Sequence, residues 1–147
     1  MIVYLGADHR GFNLKEKVKQ YLVEKNLQVE DLGSFHYEAN DDYPDFAKLV
    51  GDRVNKNSED RGILFCGSGV GVVVVANKFK NVRAATVFSP KQTYMARNDE
   101  DINVIGLSAD LLEWDVIKEI VDVFLSTAFS SEERHHRRVD KIKSLEI

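Results

Sequence analysis

The fold of this chain is constrained most by an alternation of five short apolar runs with segments of helical periodicity. The runs are rich in Val, Ile and Leu and lack the apolar–polar alternation of half-exposed strands. They therefore predict strands that are buried on both faces. The predicted strands are Ile2–Ala7, Gln28–Leu32, Gly62–Cys66, Arg83–Phe88 and Asn103–Leu107.

The segments between these runs place apolar residues on one side of a helix. In Phe12–Lys25, Leu14, Val18 and Leu22 recur at helical spacing while Lys and Glu cover the remaining surface. The other predicted helices are Tyr43–Asn55, Val70–Lys78, Pro90–Arg97, Leu111–Leu125 and the charged segment Glu132–Leu145. This pattern predicts an α/β fold: a doubly wound, Rossmann-like parallel sheet of five strands with helices on both faces and an extra C-terminal helix.

Composition places this sheet in a single domain that spans residues 1–147. Hydrophobic residues make up 44% of the chain and charged residues 30%, a balance typical of globular proteins. The excess of 24 acidic over 20 basic residues argues against nucleic acid as a partner. The single cysteine and the four histidines show no spacing typical of a zinc site, so no metal is expected.

Neither a membrane nor an export signal is indicated. The longest apolar run, Val72–Ala76, is far too short to span a bilayer. The chain begins without the basic region and long apolar stretch of a signal peptide. A cytoplasmic protein without a membrane partner is therefore expected.

Doubly wound sheets bind ligands at the carboxyl ends of their strands, where the strand order reverses. For the common order 2-1-3-4-5 this point lies between the first and third strands. The loops that follow Ala7 and Phe65 are therefore expected to meet there and to hold the functional residues.

The loop after the third strand carries Gly67, Gly69 and Gly71 at alternate positions before a helix. Glycine permits a tight turn in which several N–H groups converge on a phosphate or an oxyanion. The spacing fits neither a P-loop nor a dinucleotide fingerprint. Cys66 faces these amides and a helix dipole, which favour ionisation of its thiol. The alternative is a turn that only packs a helix against a strand, with Cys66 as a small buried apolar residue.

The loop after the first strand combines the carboxylate of Asp8, the imidazole of His9 and the guanidinium of Arg10. These groups suit binding and proton transfer on a polar, anionic ligand. The alternative is that Asp8 caps the following helix and the other two are solvated. In the last predicted helix, Arg134 and Arg138 are i, i+4 neighbours able to bind one phosphate, although such clusters are usually solvated surface.

Taken together, these motifs resemble the ribose-5-phosphate isomerase B / galactose-6-phosphate isomerase family over essentially the whole chain. The matching segments are Gly6–His9, Gly11–Phe12, Leu14–Glu16, Asp31–Gly33, Asp42–Asp45, Arg61–Leu64, Cys66–Gly71, Ala76–Lys78, Arg134–His135 and Arg137–Val139. The resemblance implies an aldose–ketose isomerase of a phosphorylated sugar that needs no cofactor, with ribose 5-phosphate and ribulose 5-phosphate as the default pair.

The resemblance also implies roles for individual residues. Cys66 would move a proton between C1 and C2 through an enediolate, and Ser68 would move a proton between the two oxygens. The amides implied in stabilising the oxyanion are those of Gly67, Gly69, Val70 and Gly71. Asp8 and His9 would hold sugar hydroxyls or the ring oxygen, and Arg134 with Arg138 would bind the phosphate. A homodimer or a dimer of dimers, with active sites shared between subunits, is implied as well.

Two departures from the family pattern affect ring opening and phosphate binding. Asp99 and Glu100 replace the family's ring-opening histidine and the asparagine that follows it. Asp99 is therefore expected to perform the acid–base transfer and Glu100 to contact substrate. Asp110 replaces a phosphate-binding arginine, and Arg10 stands where a small residue is usual. Either Arg10 supplies the missing charge or the substrate differs.

Two alternatives to the default reaction remain open at the level of sequence. One is isomerisation of another phosphorylated or free sugar, and the other is a non-catalytic small-molecule-binding module on the same fold. A receiver domain is disfavoured, because it needs an acidic residue and a lysine where Cys66 and Ser108 stand. Proton exchange at C2 of a sugar separates an enzyme from a binding module.

Overall fold

The computed structural model describes all 147 residues, which form five strands and six helices. The strands are β1 (Val3–Ala7), β2 (Val29–Asp31), β3 (Arg61–Cys66), β4 (Ala84–Thr86) and β5 (Val104–Ser108). The helices are α1 (Phe12–Glu24), α2 (Tyr43–Val54), α3 (Gly71–Ala76), α4 (Pro90–Glu100), α5 (Trp114–Ser126) and α6 (Glu133–Lys143). All strands pair in parallel, so the predicted α/β class with a five-stranded doubly wound sheet is confirmed.

The strand order is β2-β1-β3-β5-β4, and the predicted order 2-1-3-4-5 is therefore wrong for the last two strands. All five residues of β5 are buried, as suits a strand that pairs with β3 on one side and β4 on the other. β4 has only three residues, all partly exposed, which suits an edge position. The predicted strand Arg83–Phe88 shrinks to these three residues.

Two layers of helices bury the two faces of the sheet. One core cluster joins Val18 of α1 and Ile120 of α5 to β1, β3 and β5, with Ala96 of α4 packed against it. The other core cluster joins Val50 of α2 and Val72 of α3 to the opposite face. Helices α1, α4 and α5 therefore share one layer, and α2 and α3 form the other.

This arrangement determines where a ligand can enter the carboxyl edge of the sheet. The helices that follow β1 and β5 lie on one face, and the helix that follows β3 lies on the other. The chain therefore leaves β3 toward one face of the sheet and leaves its neighbours β1 and β5 toward the other. A crevice opens between these diverging connections on each side of β3. The site predicted between β1 and β3 therefore extends to β5.

Helix α6 packs against α4 through its buried residues His135 and Val139. Helix α4 runs from the carboxyl edge of the sheet, after β4, to the amino edge, before β5. None of the helices is both long enough and apolar enough to cross a membrane.

Candidate active site

The loop between β3 and α3 turns sharply around the thiol of Cys66. Cys66 is the last residue of β3 and is buried. Gly69 adopts a φ of 75°, which an L side chain rarely tolerates. Its N–H donates to Cys66 Sγ over 3.1 Å. The thiol therefore lies inside the turn, in contact with a backbone N–H donor.

Neighbouring strands hold the carbonyl groups of this loop. The Ser108 hydroxyl donates to the Gly67 carbonyl at 2.6 Å, and the Thr86 hydroxyl donates to the Gly69 carbonyl at 2.8 Å. The N–H groups of Gly67, Ser68 and Gly71 form no hydrogen bond within the chain. With its carbonyls bound, the loop presents N–H donors to an oxyanion.

Two glycines outside the loop allow it to sit where it does. A Cβ on Gly106 of β5 would lie 2.3 Å from the Gly69 carbonyl oxygen. A Cβ on Gly11 would lie 2.4 Å from the Phe65 carbonyl, at the end of β3. The two predicted loops therefore pack directly against each other, which the sequence analysis expected without identifying these two glycines as the cause.

Asp8 is buried and closes the turn that leads into α1. One of its oxygens, Oδ1, accepts the N–H groups of Arg10 and Gly11, each at 3.0 Å. Both N–H groups precede α1, whose N-cap is Gly11 without a side-chain hydrogen bond, so Asp8 closes a turn before the helix and does not cap the helix itself. Ser68 is exposed, and its Oγ accepts the Val70 N–H at 3.2 Å.

His9 is held by Asp41, a residue that the sequence analysis missed. Asp41 Oδ1 lies 2.8 Å from His9 Nδ1 and accepts the His9 backbone N–H at the same distance. The hydrogen bond to Asp41 raises the pKa of His9 above its ordinary value, against the opposing effect of desolvation. Asp41 lies in the turn-rich stretch 33–42, and this irregular backbone was the only sequence signal.

Arg10 and Asp110 form an ion pair across Gly67, so the two departures noted in sequence are one contact. Both side chains are about half exposed. The structure thus places Arg10 at the carboxyl edge, as expected, but on a carboxylate. Tyr43 was also missed: its ring packs over Gly71, where a Cβ would lie 2.7 Å from the ring.

The remaining predicted residues lie at the other end of the sheet. The pairing of β3 with β5 runs from Gly62 and Val104 to Cys66 and Ser108. Asp99 and Glu100 end α4, before β5 begins, so at least four residues of strand separate their end of the sheet from Cys66. That length of strand spans about 13 Å. One protomer does not bring these two groups together.

At this amino edge Asp99 packs beside α6. Its Oδ1 lies 3.8 Å from Nε2 of the buried His135 and accepts the Asn98 amide at 2.7 Å. Arg134 and Arg138 are exposed on α6, four residues apart, and Arg134 donates to Glu132 at 2.6 Å. The predicted pair of arginines is thus available to an anion, but not one bound near Cys66 of the same protomer.

Two further features concern ligands. No group of three or more His, Cys, Asp or Glu side chains is placed to hold a metal ion. An open depression of about 410 Å³ on α4 is lined partly by Gln92, Met95, Asp99 and Glu100. It adjoins the residues that the sequence analysis assigned to ring opening.

The chain is similar to known proteins over nearly its whole length. Residues 3–142 match the model of a family described as Ribose/Galactose Isomerase. A probable ribose-5-phosphate isomerase B from Mycoplasma genitalium is 47% identical over 141 residues, covering 95% of this chain and 92% of that protein. Ribose-5-phosphate isomerase B from Escherichia coli is 35% identical over 144 residues, covering 98% and 95%.

A solved structure supports the same likeness in three dimensions. The crystal structure of ribose-5-phosphate isomerase B from Mycoplasma genitalium with bound ribulose-5-phosphate superimposes with a TM-score of 0.93 at 46% identity. The match covers 97% of this chain and 94% of that one.

Proposed function

Because the chain belongs to the ribose/galactose isomerase family, we propose that it interconverts ribose 5-phosphate and ribulose 5-phosphate. The observation that carries this proposal is the loop at the end of β3. It holds a thiol in the same turn as the N–H groups of Gly67, Ser68 and Gly71, which form no hydrogen bond within the chain. Such an arrangement suits removal of a proton next to a carbonyl group.

The reaction follows from these groups once the sugar is in its open-chain form. The Cys66 thiolate takes the proton from C2, and the electron pair of the broken C–H bond moves toward the carbonyl to give an enediolate. The amides of Gly67, Gly69, Val70 and Gly71 stabilise the negative charge on O1. The Ser68 hydroxyl passes a proton from O2 to O1, and the Cys66 thiol returns its proton to C1. No electron leaves the sugar, so these steps require no redox cofactor.

Ring opening and phosphate binding are assigned to residues at the amino edge of the sheet. Asp99 would move the proton from O1 to the ring oxygen, and Glu100 would contact the sugar. Arg134 and Arg138 would bind the phosphate, because two guanidinium groups one helical turn apart can share one anion. Asp8 and His9 would hold sugar oxygens beside Cys66. Arg10 would contribute to phosphate binding only after it leaves Asp110.

These assignments require two copies of the chain. Cys66 and Asp99 lie at opposite edges of the same sheet, and a single substrate cannot contact both within one protomer. Two valines beside the Cys66 loop are exposed: Val70, just before α3, is 50% exposed, and Val74, on α3, is 56% exposed. An exposed apolar surface of this kind suits a contact between subunits. We therefore propose a homodimer with shared sites, or a dimer of such dimers.

The cytoplasm is the proposed location of this enzyme. A mechanism that depends on a single free thiol needs that thiol to stay reduced, and reducing conditions prevail in the cytosol.

The test is proton exchange together with isomerisation. Wild-type protein should convert ribose 5-phosphate to ribulose 5-phosphate. In deuterated water, the ribose 5-phosphate recovered from the reaction should carry deuterium at C2. Cys66→Ala should lower turnover by about 10²- to 10⁴-fold, with little change in KM and an unchanged melting temperature. Cys66→Ala that retains turnover would move the base elsewhere.

A panel of sugars tests the alternative that the substrate is another phosphorylated or free sugar. Asp110 favours this alternative, because it stands in place of a phosphate-binding arginine. Galactose 6-phosphate, free galactose and free ribose should react more slowly than ribose 5-phosphate. A faster reaction with one of them would change the substrate, and exchange with none of the sugars would favour a binding module.

A further inference from the structure

The contact between His9 and Asp41 gives the imidazole a defined orientation. Asp41 accepts from the His9 backbone N–H and from Nδ1 through the same carboxylate oxygen. Because a carboxylate only accepts hydrogen bonds, the shared proton belongs to Nδ1. The opposite ring nitrogen, Nε2, has no hydrogen-bond partner in the chain, and the side chain is 26% exposed.

Asp41 itself is nearly buried, and its position is unusual for a carboxylate. Its side chain is only 10% exposed, and Oδ2 is buried without a hydrogen-bond partner. A buried carboxylate bound through one oxygen needs a nearby positive charge to offset its desolvation. The imidazole of His9 is the group in direct contact with it, so the pair is most stable when His9 is protonated.

We propose that Asp41 is a positioning residue that keeps His9 charged and aims its Nε2–H at a negatively charged oxygen of the substrate. This inference rests on the proposed function and specifies what His9 contributes to it. A charged imidazole donates a hydrogen bond of roughly twice the strength of a neutral one. Asp41 touches no substrate itself and acts through His9.

The groups that face His9 act on its pKa in both directions, and their net effect is to raise it. The Asp41 hydrogen bond raises the pKa of His9, burial opposes it, the charge of Asp8 adds to it, and Arg10 lowers it. The guanidinium of Arg10 is itself paired with Asp110. Tyr37 contacts the ring edge-on, with centroids 6.2 Å apart. Without Asp41, His9 loses the largest of the contributions that favour its charged form.

The experiment compares Asp41→Asn with wild type over a range of pH. The amide keeps the shape and an acceptor oxygen, but it removes the negative charge. Substrate binding should weaken as pH rises through the pKa of His9, and in Asp41→Asn that decline should begin at lower pH. At a pH between the two midpoints we expect KM for ribose 5-phosphate to be about fivefold higher in Asp41→Asn, with a smaller change in kcat.

A double-mutant cycle separates positioning from a purely structural role. In a His9→Gln background, Asp41→Asn should change KM by less than about twofold, because the residue through which it acts is gone. The matched control is Asp45→Asn, which neutralises an exposed carboxylate paired with Lys48 on the first turn of α2. It should leave KM and the pH profile unchanged. Equal losses from Asp41→Asn in both backgrounds would overturn the proposal.

A second measurement needs no substrate and no variant of Asp41. NMR titration of the wild-type imidazoles, with His9 assigned by its absence in His9→Gln, should give a pKa above the ordinary value for histidine. An ordinary or lower pKa would overturn the role of Asp41. If His9 titrates with a raised pKa while no sugar undergoes exchange, the proposed isomerase function is contradicted but the effect of Asp41 on His9 is confirmed.

Discussion

The two edges of the sheet differ in how their functional groups are held. At the carboxyl edge, the loop that follows Cys66 is bound by Ser108 from β5 and Thr86 from β4. At the amino edge, Arg134 and Arg138 project from the outer helix α6 into solvent. The first region is pre-organised by its own chain, whereas the second is exposed.

Under the proposed assignments, this difference divides the work of catalysis between the two edges. Proton abstraction requires donors that are aligned before the charge develops, and neighbouring strands in a sheet provide such alignment. Phosphate binding needs only accessible positive charge, which a surface helix provides. The two functions can therefore lie at opposite edges of one protomer, provided that a second copy brings them together.

The largest effect is expected when these two edges are inactivated in different subunits. Cys66→Ala and Asp99→Asn should each be nearly inactive alone. After subunit exchange in an equal mixture, about a quarter of the sites should contain both intact groups, because half of the dimers are mixed and each has one intact site. Activity of the mixture measures this directly.

The control for complementation mixes Cys66→Ala with Cys66→Ser, which both damage the carboxyl edge. That mixture should remain as inactive as its components. No recovery in the first mixture, despite verified subunit exchange, would contradict the shared site.

A smaller effect is expected from placing a charge on the exposed face of α3. Val74→Asp should shift the protein toward monomers in analytical ultracentrifugation, because association would bury the new carboxylate. Activity of the dilute protein should fall by at least about tenfold, and concentrating it should recover part of the loss. Far-UV circular dichroism should remain unchanged.

The matched control for this variant is Val23→Asp. Val23 lies on α1 and is 57% exposed, almost the same as Val74 at 56%, but it is remote from the Cys66 loop. It should leave the association state and the activity unchanged. If Val74→Asp sediments and reacts like Val23→Asp, α3 is not the subunit contact.

The smallest effect is expected at the ion pair between Arg10 and Asp110. If Arg10 turns to the phosphate when substrate binds, Arg10→Ala should raise KM for ribose 5-phosphate by up to about tenfold with less effect on kcat. Asp110→Ala should lower KM, because it frees the guanidinium. Steady-state kinetics of both variants measures the two opposite changes.

Unchanged KM in both variants would identify an exposed ion pair worth less than about 1 kcal/mol. Phosphate binding would then belong to Arg134 and Arg138 alone, and the division between the two edges would be complete.

Part of the site followed from local sequence patterns. The loop Cys66–Gly71 was a candidate because alternate glycines before an apolar helix let N–H groups converge, although the same pattern also fits a turn that only packs a helix against a strand. The adjacency of Asp8–Arg10 to this loop was also predicted, since parallel strands end at a common edge. Both inferences needed only burial patterns and the backbone freedom of glycine.

Other parts of the site depend on contacts between distant residues. Asp41 reaches His9 across an irregular segment that has no periodicity, so no pattern indicated the pairing. Arg10 was expected near phosphate, but its partner Asp110 lies one hundred residues away and was recognised only as a departure from the family. The sequence placed both residues at the carboxyl edge of the sheet, but only the tertiary structure shows their side chains in contact.

The sequence by itself determined the approximate positions of the five strands and the thiol loop, because each depends on residues close together in the chain. The alternation of strands and helices indicated helices on both faces, but not which helices share a face. The tertiary structure decided that β5 lies between β3 and β4 and that Asp41 holds His9. It also decided that Asp99 is separated from Cys66 by the length of the strands. Local hydrophobic pattern specifies that a strand is buried but not which strands flank it. Neighbours in space result from the packing of the whole chain, and these contacts settle which residues can act together.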